Sequence, residues 1–340
     1  MEQGSERPGR YVVGVDLGGT NLKLGVVHEQ SGLVVRQEVP SPGQVAAETG
    51  VAHVARGSAG VIAASGVAPD RIAAIGIGAP GISDPVLGIV DVAPSLGWKR
   101  FPLAARLQAV LGRPAFVEND VNAMALAEAR FGVGRSLNHF VLVAMGTGIG
   151  AGIIIDRKLY RGADYAAGEA GLLIVTPDWE LGWEDDFGCW ESLAGSQGLV
   201  AAARRRLAGD EAGDRASTGT SGEASALSRL APEALDAEAI CRAAAAGDAL
   251  AQAVVAEVAR HLAHGFVNIA TLLNPEAIIL AGGVSRAGDL LIGPAVARMR
   301  KLISIVPRFV YSELGPDAGI IGAASVALDR LGRDGEPIEA

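Results

Sequence analysis

Apolar and polar positions follow two rhythms along this chain. Tyr11–Asp16 is a β-rich run, broken by Leu17-Gly18-Gly19-Thr20. Lys23–Val27 resumes it, and Val34–Val39 makes a third strand. An Ala-rich helical stretch follows over Glu48–Ser65, then a buried strand at Arg71–Ile77 that runs into the loop Gly78-Ala79-Pro80-Gly81. Pro102–Leu111 reads as a short helix, Ala115–Glu118 as a strand, and Asn119–Phe131 as a second Ala-rich helix. The pattern then restarts. Asn138–Met145 is a strand, Gly146–Gly150 a glycine turn and Ala151–Asp156 a strand again. Helices at Glu238–Ala245 and Ala249–Leu273 precede a last strand, Ala277–Leu280, which enters Ala281-Gly282-Gly283. A block of two strands around a glycine turn followed by α/β crossovers thus occurs twice. The expected fold is a duplicated α/β architecture with two lobes around a cleft.

Composition narrows the class. The chain has 340 residues, 49% hydrophobic and 20% charged, enough for roughly two domains. Its net charge of −9 leaves no basic surplus for gripping phosphate backbones, so neither nucleic acid nor a membrane is an expected partner. No apolar run approaches the ~18 residues of a membrane span, and Met1–Arg10 is polar, so a cytoplasmic protein with a disordered arm over 1–10 is expected. Two cysteines, Cys189 and Cys241, cannot build a disulfide framework. The Gly/Ser/Thr-rich stretch 209–231 reads as a flexible loop without chemistry.

Four segments could carry chemistry. In Asp16-Leu17-Gly18-Gly19-Thr20-Asn21-Leu22-Lys23, adjacent glycines after a strand let backbone N–H groups face a phosphate. Asp16 could hold Mg²⁺ through water, and Thr20, Asn21 and Lys23 could donate to phosphoryl oxygens. The plain alternative is a simple hairpin turn. Gly146-Thr147-Gly148-Ile149-Gly150-Ala151 has a dinucleotide-like spacing, but Ile153-Ile154-Ile155 demands a strand where that motif needs a helix, so a second phosphate hairpin fits better. In Glu118-Asn119-Asp120, a carboxylate at a strand's end could be a general base, or the segment could only cap a helix. Glu169 and Glu191 are isolated glutamates whose spacing gives no reason to pair them. His261 and His264 read as ordinary helix residues.

Taken together, these segments resemble the ROK family of sugar kinases and sugar-responsive repressors, from about Tyr11 to Leu328. The resemblance rests on DxGGTN (Asp16–Asn21), GxPG (Gly78–Gly81), END-VNA (Glu118–Ala123), GTGIGAGII (Gly146–Ile154), GExG (Gly168–Gly171), GCxE (Gly188–Glu191), LNPE (Leu273–Glu276) and GGVS (Gly282–Ser285). It implies the ribonuclease H-like, actin-like ATPase fold. It implies an N-terminal lobe over 11–117, completed by a helix at 318–331, and a larger lobe over 118–317. It also implies ATP and Mg²⁺ as cofactors, a role in carbohydrate metabolism, and a homodimer. Asp120 looks like the base that takes a proton from a sugar hydroxyl, usually the 6-OH of a hexose. Gly81, Asn119, Glu169 and Glu191 look like sugar-binding positions. Asp16–Lys23 and Gly146–Gly150 look like phosphate loops, and Gly282 and Gly283 like the approach to the nucleoside. The expected activity is glucokinase-like. The alternatives are a kinase for N-acetylmannosamine, N-acetylglucosamine, fructose or allose, a donor such as polyphosphate, or a non-catalytic sugar-binding protein. The short polar start leaves no helix-turn-helix ahead of the first strand, which speaks against a repressor.

One departure stands out. Family kinases commonly carry a His and three Cys that bind a structural zinc, and the His usually also contacts the sugar. Here those positions are Leu172, Gly182, Glu184 and Cys189, so no structural zinc is expected. Trp179, Trp183 and Trp190 fall in the same stretch; indole packing is the expected substitute for the metal, the alternative being that one or more of them sits exposed at the cleft and stacks on a sugar or a partner.

Overall fold

The computed structural model describes residues 9–41, 43–176, 189–209 and 225–332. Residues 1–8 of the expected arm over 1–10, most of the expected loop at 209–231, and Trp179, Gly182, Trp183 and Glu184 lie outside the described residues.

The first sheet is built from β1 (Tyr11–Leu17), β2 (Asn21–His28), β3 (Gly32–Pro40), β4 (Ile72–Ala79) and a later strand, Ala115–Asn119. Helix α1 (Ala47–Ser65) joins β3 to β4. A small antiparallel meander follows: β5 (Ile82–Asp84), β6 (Ile89–Ala93) and β7 (Trp98–Phe101). Next come α2 (Leu103–Leu111), β8 (Ala115–Asn119) and α3 (Asp120–Arg130). The second sheet uses β9 (Phe140–Met145), β10 (Ile149–Ile155), β11 (Lys158–Tyr160), β12 (Ala277–Ala281) and β13 (Arg308–Tyr311). Its strands are accompanied by α4 (Cys189–Ala194), α5 (Ser196–Ala208), α6 (Ala237–Ala245), α7 (Ala249–Leu273) and α8 (Ile292–Leu302). Helix α9 (Ala318–Arg330) closes the chain.

Strand order is β3-β2-β1-β4-β8 in one sheet and β11-β10-β9-β12-β13 in the other. In the first, β1–β2 and β2–β3 are antiparallel while β1–β4 and β4–β8 are parallel. In the second, β10–β11 is antiparallel and β9–β12 and β12–β13 are parallel. The same connectivity is therefore used twice, and the architecture is the duplicated α/β, actin-like ATPase fold. The chain divides into two compact units, residues 1–138, 152–168 and 312–340 against residues 139–151 and 169–311.

Alternation along β1 explains the first unit's core. Val13 and Val15 point to one face with Leu24, Val54, Val61 and Leu107, whereas Val12 points to the other with Ile320, Ala324 and Ala327 of α9. On that second face the strand and helix backbones come into contact. A Cβ on Gly14 would collide with the carbonyl of Ile320, and one on Gly76 with that of Ala323. Glycine and alanine let α9 lie directly on β1 and β4. Arg10 ties the start of this unit to its end, pairing with Glu29 and donating to the carbonyls of Leu331 and Gly332.

Candidate active site

The β1–β2 hairpin pairs Asp16 with Lys23 and Leu17 with Leu22. Its turn closes with Gly18 N–H donating to the Asn21 carbonyl at 3.1 Å, and Ser41 N–H donates to the Thr20 carbonyl at 2.8 Å. Gly18 is needed here, because a Cβ would lie 2.7 Å from the Asn21 carbonyl oxygen. Gly19 has open space around it. Asp16 Oδ2 stands 3.9 Å from Lys23 Nζ, and its carboxyl fills the space where Gly319, at the start of α9, lacks a side chain. Burial holds the Asp16 pKa above its ordinary value; Lys23 opposes the shift and Glu38 reinforces it. A carboxylate short of solvent and facing one cation at 3.9 Å gains from a further positive charge, so the donor chemistry fits a hydrated Mg²⁺.

At the end of β8 the capping alternative resolves onto a single residue. Asn119 is the N-cap of α3, its Oδ1 accepting from Asn122 N–H at 2.9 Å. Its Nδ2 donates to the Gly81 carbonyl at 2.9 Å and to Asp120 Oδ1 at 3.1 Å. Asp120 opens the helix, and its Oδ1 also accepts from Val121 N–H at 2.9 Å. Gly81 has φ +82°, and a Cβ there would strike the Val92 carbonyl, so only glycine suits this turn. Beneath Asp120, buried Glu118 accepts from Asn119 N–H and Asn122 Nδ2, and pairs with Arg161 Nε at 2.7 Å. The structure thus brings Gly81, Asn119 and Asp120 into one hydrogen-bonded group. It adds Arg161, whose partner lies 43 residues earlier in the chain.

In the second unit, the turn between β9 and β10 carries Gly146, Thr147 and Gly148, with Gly150 already in β10. Glu191 on α4 reaches this turn, accepting from Ile149 N–H at 2.9 Å. A Cβ on Gly148 would overlap its carboxylate, and one on Gly171 would lie 3.0 Å from Oε2. Gly195 N–H donates to the Glu191 carbonyl and Ser196 N–H to that of Gly146, which docks the α4–α5 corner on the same turn. Glu169, just ahead of the 3-10 turn Ala170–Leu172, has its pKa raised by burial and then by the charge of Glu191. The two glutamates that looked unrelated by spacing are electrostatic neighbours.

Among the described residues, the second unit also holds a cavity of about 910 Å³. Gly146, Thr147, Ser196 and Gly283 line it, along with Pro232, Leu235, Asp236, Cys241 and Arg286. Its size suits a nucleotide-sized ligand. Gly282 does not line it; with φ +87° it brings the end of β12 against the Met145 carbonyl, where a Cβ could not fit.

Comparison with known proteins identifies the family. The model of the ROK family matches residues 12–330. The chain belongs to the ROK family. A glucokinase of Streptomyces coelicolor is 33% identical over 322 residues, covering 93% of this chain and 97% of its own. A glucokinase of Thermotoga maritima is 34% identical over 334 residues, covering 96% and 99%. The crystal structure of a ROK family glucokinase from Streptomyces griseus, in complex with glucose and AMPPNP, superposes with a TM-score of 0.77 at 33% identity over 94% of this chain and 99% of that one.

The structural zinc implied by the family resemblance does not fit the residues of this chain. Leu172 offers no donor atom and its side chain is about half exposed, and the positions at 182 and 184 hold glycine and glutamate. One thiol and one carboxylate do not fit a tetrahedral zinc built from nitrogen and sulfur. Trp190, by contrast, is fully buried, with Phe266 edge-on at 5.7 Å and 86°. Residues that sequence reasoning missed, such as Arg161, Asp236 and Arg286, are scattered singly over elements with no shared motif. The fold brings Arg161 to Glu118 in the first unit, and Asp236 and Arg286 to the cavity of the second.

Proposed function

We propose that this chain is an ATP-dependent sugar kinase acting on a hexose, glucose-like, with transfer to the 6-OH and Asp120 as the general base. The observation that carries this reading is the Asp120 carboxylate at the junction of β8 and α3, with Oδ1 held by Val121 N–H and Asn119 Nδ2. A base must be aimed before it is strong, and two donors fix this one. Glu169 and Glu191 would accept hydrogen bonds from sugar hydroxyls, as ionised carboxylates do, and Asn119 and Gly81 would complete the sugar contacts. The Gly18 and Gly146 N–H groups close their own turns, so Gly19 and Thr20 in one and Thr147 and Gly148 in the other would present N–H groups to phosphates, with Lys23 as a cation and Gly283 beside the nucleoside in the cavity. Asp16 would hold Mg²⁺ through water, and the ion would supply charge neutralisation on the phosphates. The glucokinase relatives and the glucose and AMPPNP complex of the Streptomyces griseus enzyme support the choice of acceptor and donor.

A second reading, a sugar-binding protein without turnover, draws on Leu172 and on a xylose repressor of Caldicellulosiruptor bescii, 32% identical over 77% of this chain. A coupled ADP-release assay across glucose, mannose, fructose, N-acetylglucosamine, N-acetylmannosamine and allose separates the two. The kinase reading expects turnover with at least one hexose. It expects Asp120→Asn to lower kcat by about 10³-fold or more while sugar binding by calorimetry persists. Equal turnover in variant and wild type removes Asp120 from the role of base.

A further inference from the structure

Helix α4 is too short to hold its own direction. Six residues make under two turns, and such a helix gains its order from what it packs against. Successive side chains on it point about 100° apart, so the seat of Trp190 decides where Glu191 points. That seat is one turn of α7. Gly265 leaves its place to the indole, since a Cβ there would fall inside the ring. Phe266 meets the same indole edge-on and passes the contact to Phe309 of β13, with ring centres 5.0 Å apart. Among the described residues Trp190 Nε1 is buried with no hydrogen-bond partner, so packing against α7 is what those residues offer the ring. The preceding residue of α7, His264, places Nδ1 3.0 Å from the Val175 carbonyl. A carbonyl only accepts, so Nδ1 carries the proton and donates.

We propose that His264, Gly265 and Phe266 of α7 form a metal-independent bracket that positions Glu191 and the Glu169-bearing segment for sugar binding. Val175 follows the 3-10 turn after Glu169, and Trp190 precedes Glu191, so three consecutive residues of a 25-residue helix pin the chain beside both glutamates. The zinc that the family resemblance implies would hold this stretch by coordination; here Leu172 and the residues at 182 and 184 offer no such set. These are positioning residues, acting through Val175 and Trp190. The inference rests on the sugar-kinase reading for its kinetic consequence but not for its structural one.

The test uses the full-length protein with His264→Leu, His264→Asn and Gly265→Ala. Asparagine keeps a donor near the place of Nδ1, whereas leucine removes it. His264→Leu is expected to raise the sugar KM about 3- to 10-fold with the ATP KM unchanged, and His264→Asn to restore it to within about twofold, as for one lost and regained hydrogen bond. Gly265→Ala, which displaces Trp190, is expected to raise the sugar KM on the order of 10²-fold. Amide hydrogen exchange gives a readout without activity: residues 189–195 should exchange faster in His264→Leu and Gly265→Ala than in wild type, and a zinc chelator should change nothing. If Gly265→Ala does not fold, the leucine–asparagine pair decides alone. A sugar KM and an exchange pattern that stay at wild-type values in His264→Leu overturn the bracket. A wild type that phosphorylates no sugar sinks the kinase reading while exchange still judges the bracket.

Discussion

Asn119 does three tasks with one side chain, of which the sequence presents only the helix cap. Its carbonyl oxygen caps α3, and its amide nitrogen holds both the Gly81 carbonyl and Asp120. Replacing it with alanine should cost about 1 kcal/mol for the cap and lower kcat as well, because Asp120 and the Gly81 turn lose a common anchor. Asn119→Asp keeps the cap but has no hydrogens to give. Urea midpoints near wild type combined with a kcat reduced by about tenfold would separate aiming from capping; wild-type kcat in Asn119→Asp would show that the amide donors do not matter. Asp16 makes the opposite kind of prediction. Burial, offset by Lys23 and strengthened by Glu38, raises its pKa in the folded chain. The folded state therefore holds this proton more tightly than the unfolded one. Its favourable contribution is complete below the ordinary carboxylate value of about 3.9 and is lost as pH rises through the raised one. Asp16→Asn should gain stability relative to wild type as pH rises above about 4, while losing turnover if Asp16 holds the proposed Mg²⁺. Urea titrations across that range whose difference does not move in the variant's favour with pH would contradict the sign.

At the scale of elements, pieces with a clear period, a short apolar run or glycine punctuation were legible, β8 and β12 among them, whereas the β5–β7 meander and helices α5 and α8 were not. Both hairpins, the strand at 72–79, helix α7 and the strand–helix step at Asn119–Asp120 could be read because each carries its period and punctuation within a dozen residues. The meander β5–β7 escaped because strands of three to five residues are too short to display alternation. The contiguous site residues were legible for the same reason. Arg161 and His264 were not, since their partners Glu118 and Val175 lie 43 and 89 residues away. Glycines divide similarly. Composition counts 46 of them, but only packing shows which ones touch a neighbour. Gly76 does, with no room for a Cβ against the Ala323 carbonyl of α9. Gly76→Ala should cost about 1–3 kcal/mol in urea unfolding as β4 and α9 are forced apart, whereas the same change at Gly66, the α1 C-cap with open space and φ +70°, strains only the local backbone. Equal losses at the two sites would deny that backbone contact between α9 and the sheet governs the packing.

For the molecule as a whole, the division of the chain has a thermodynamic consequence. Two compact units need not melt as one transition, and a ligand stabilises the unit to which it binds. The described residues lining the nucleotide-sized cavity all come from the second unit, residues 139–151 and 169–311. Saturation at 100 times Kd stabilises by about 2.7 kcal/mol, and a unit of about 150 residues gains roughly 2–4 °C per kcal/mol. Scanning calorimetry with a non-hydrolysable ATP analogue should therefore raise one transition by about 5–10 °C, a range fixed by those two factors. The other transition should move less. Asp120→Asn belongs to the first unit and removes only the proposed base, so it should leave the nucleotide-induced shift intact while turnover is lost. Arg286→Ala, at the cavity wall, should shrink the shift and leave the melting without ligand little changed. A nucleotide shift that disappears in Asp120→Asn but survives in Arg286→Ala would place the donor elsewhere than in this cavity.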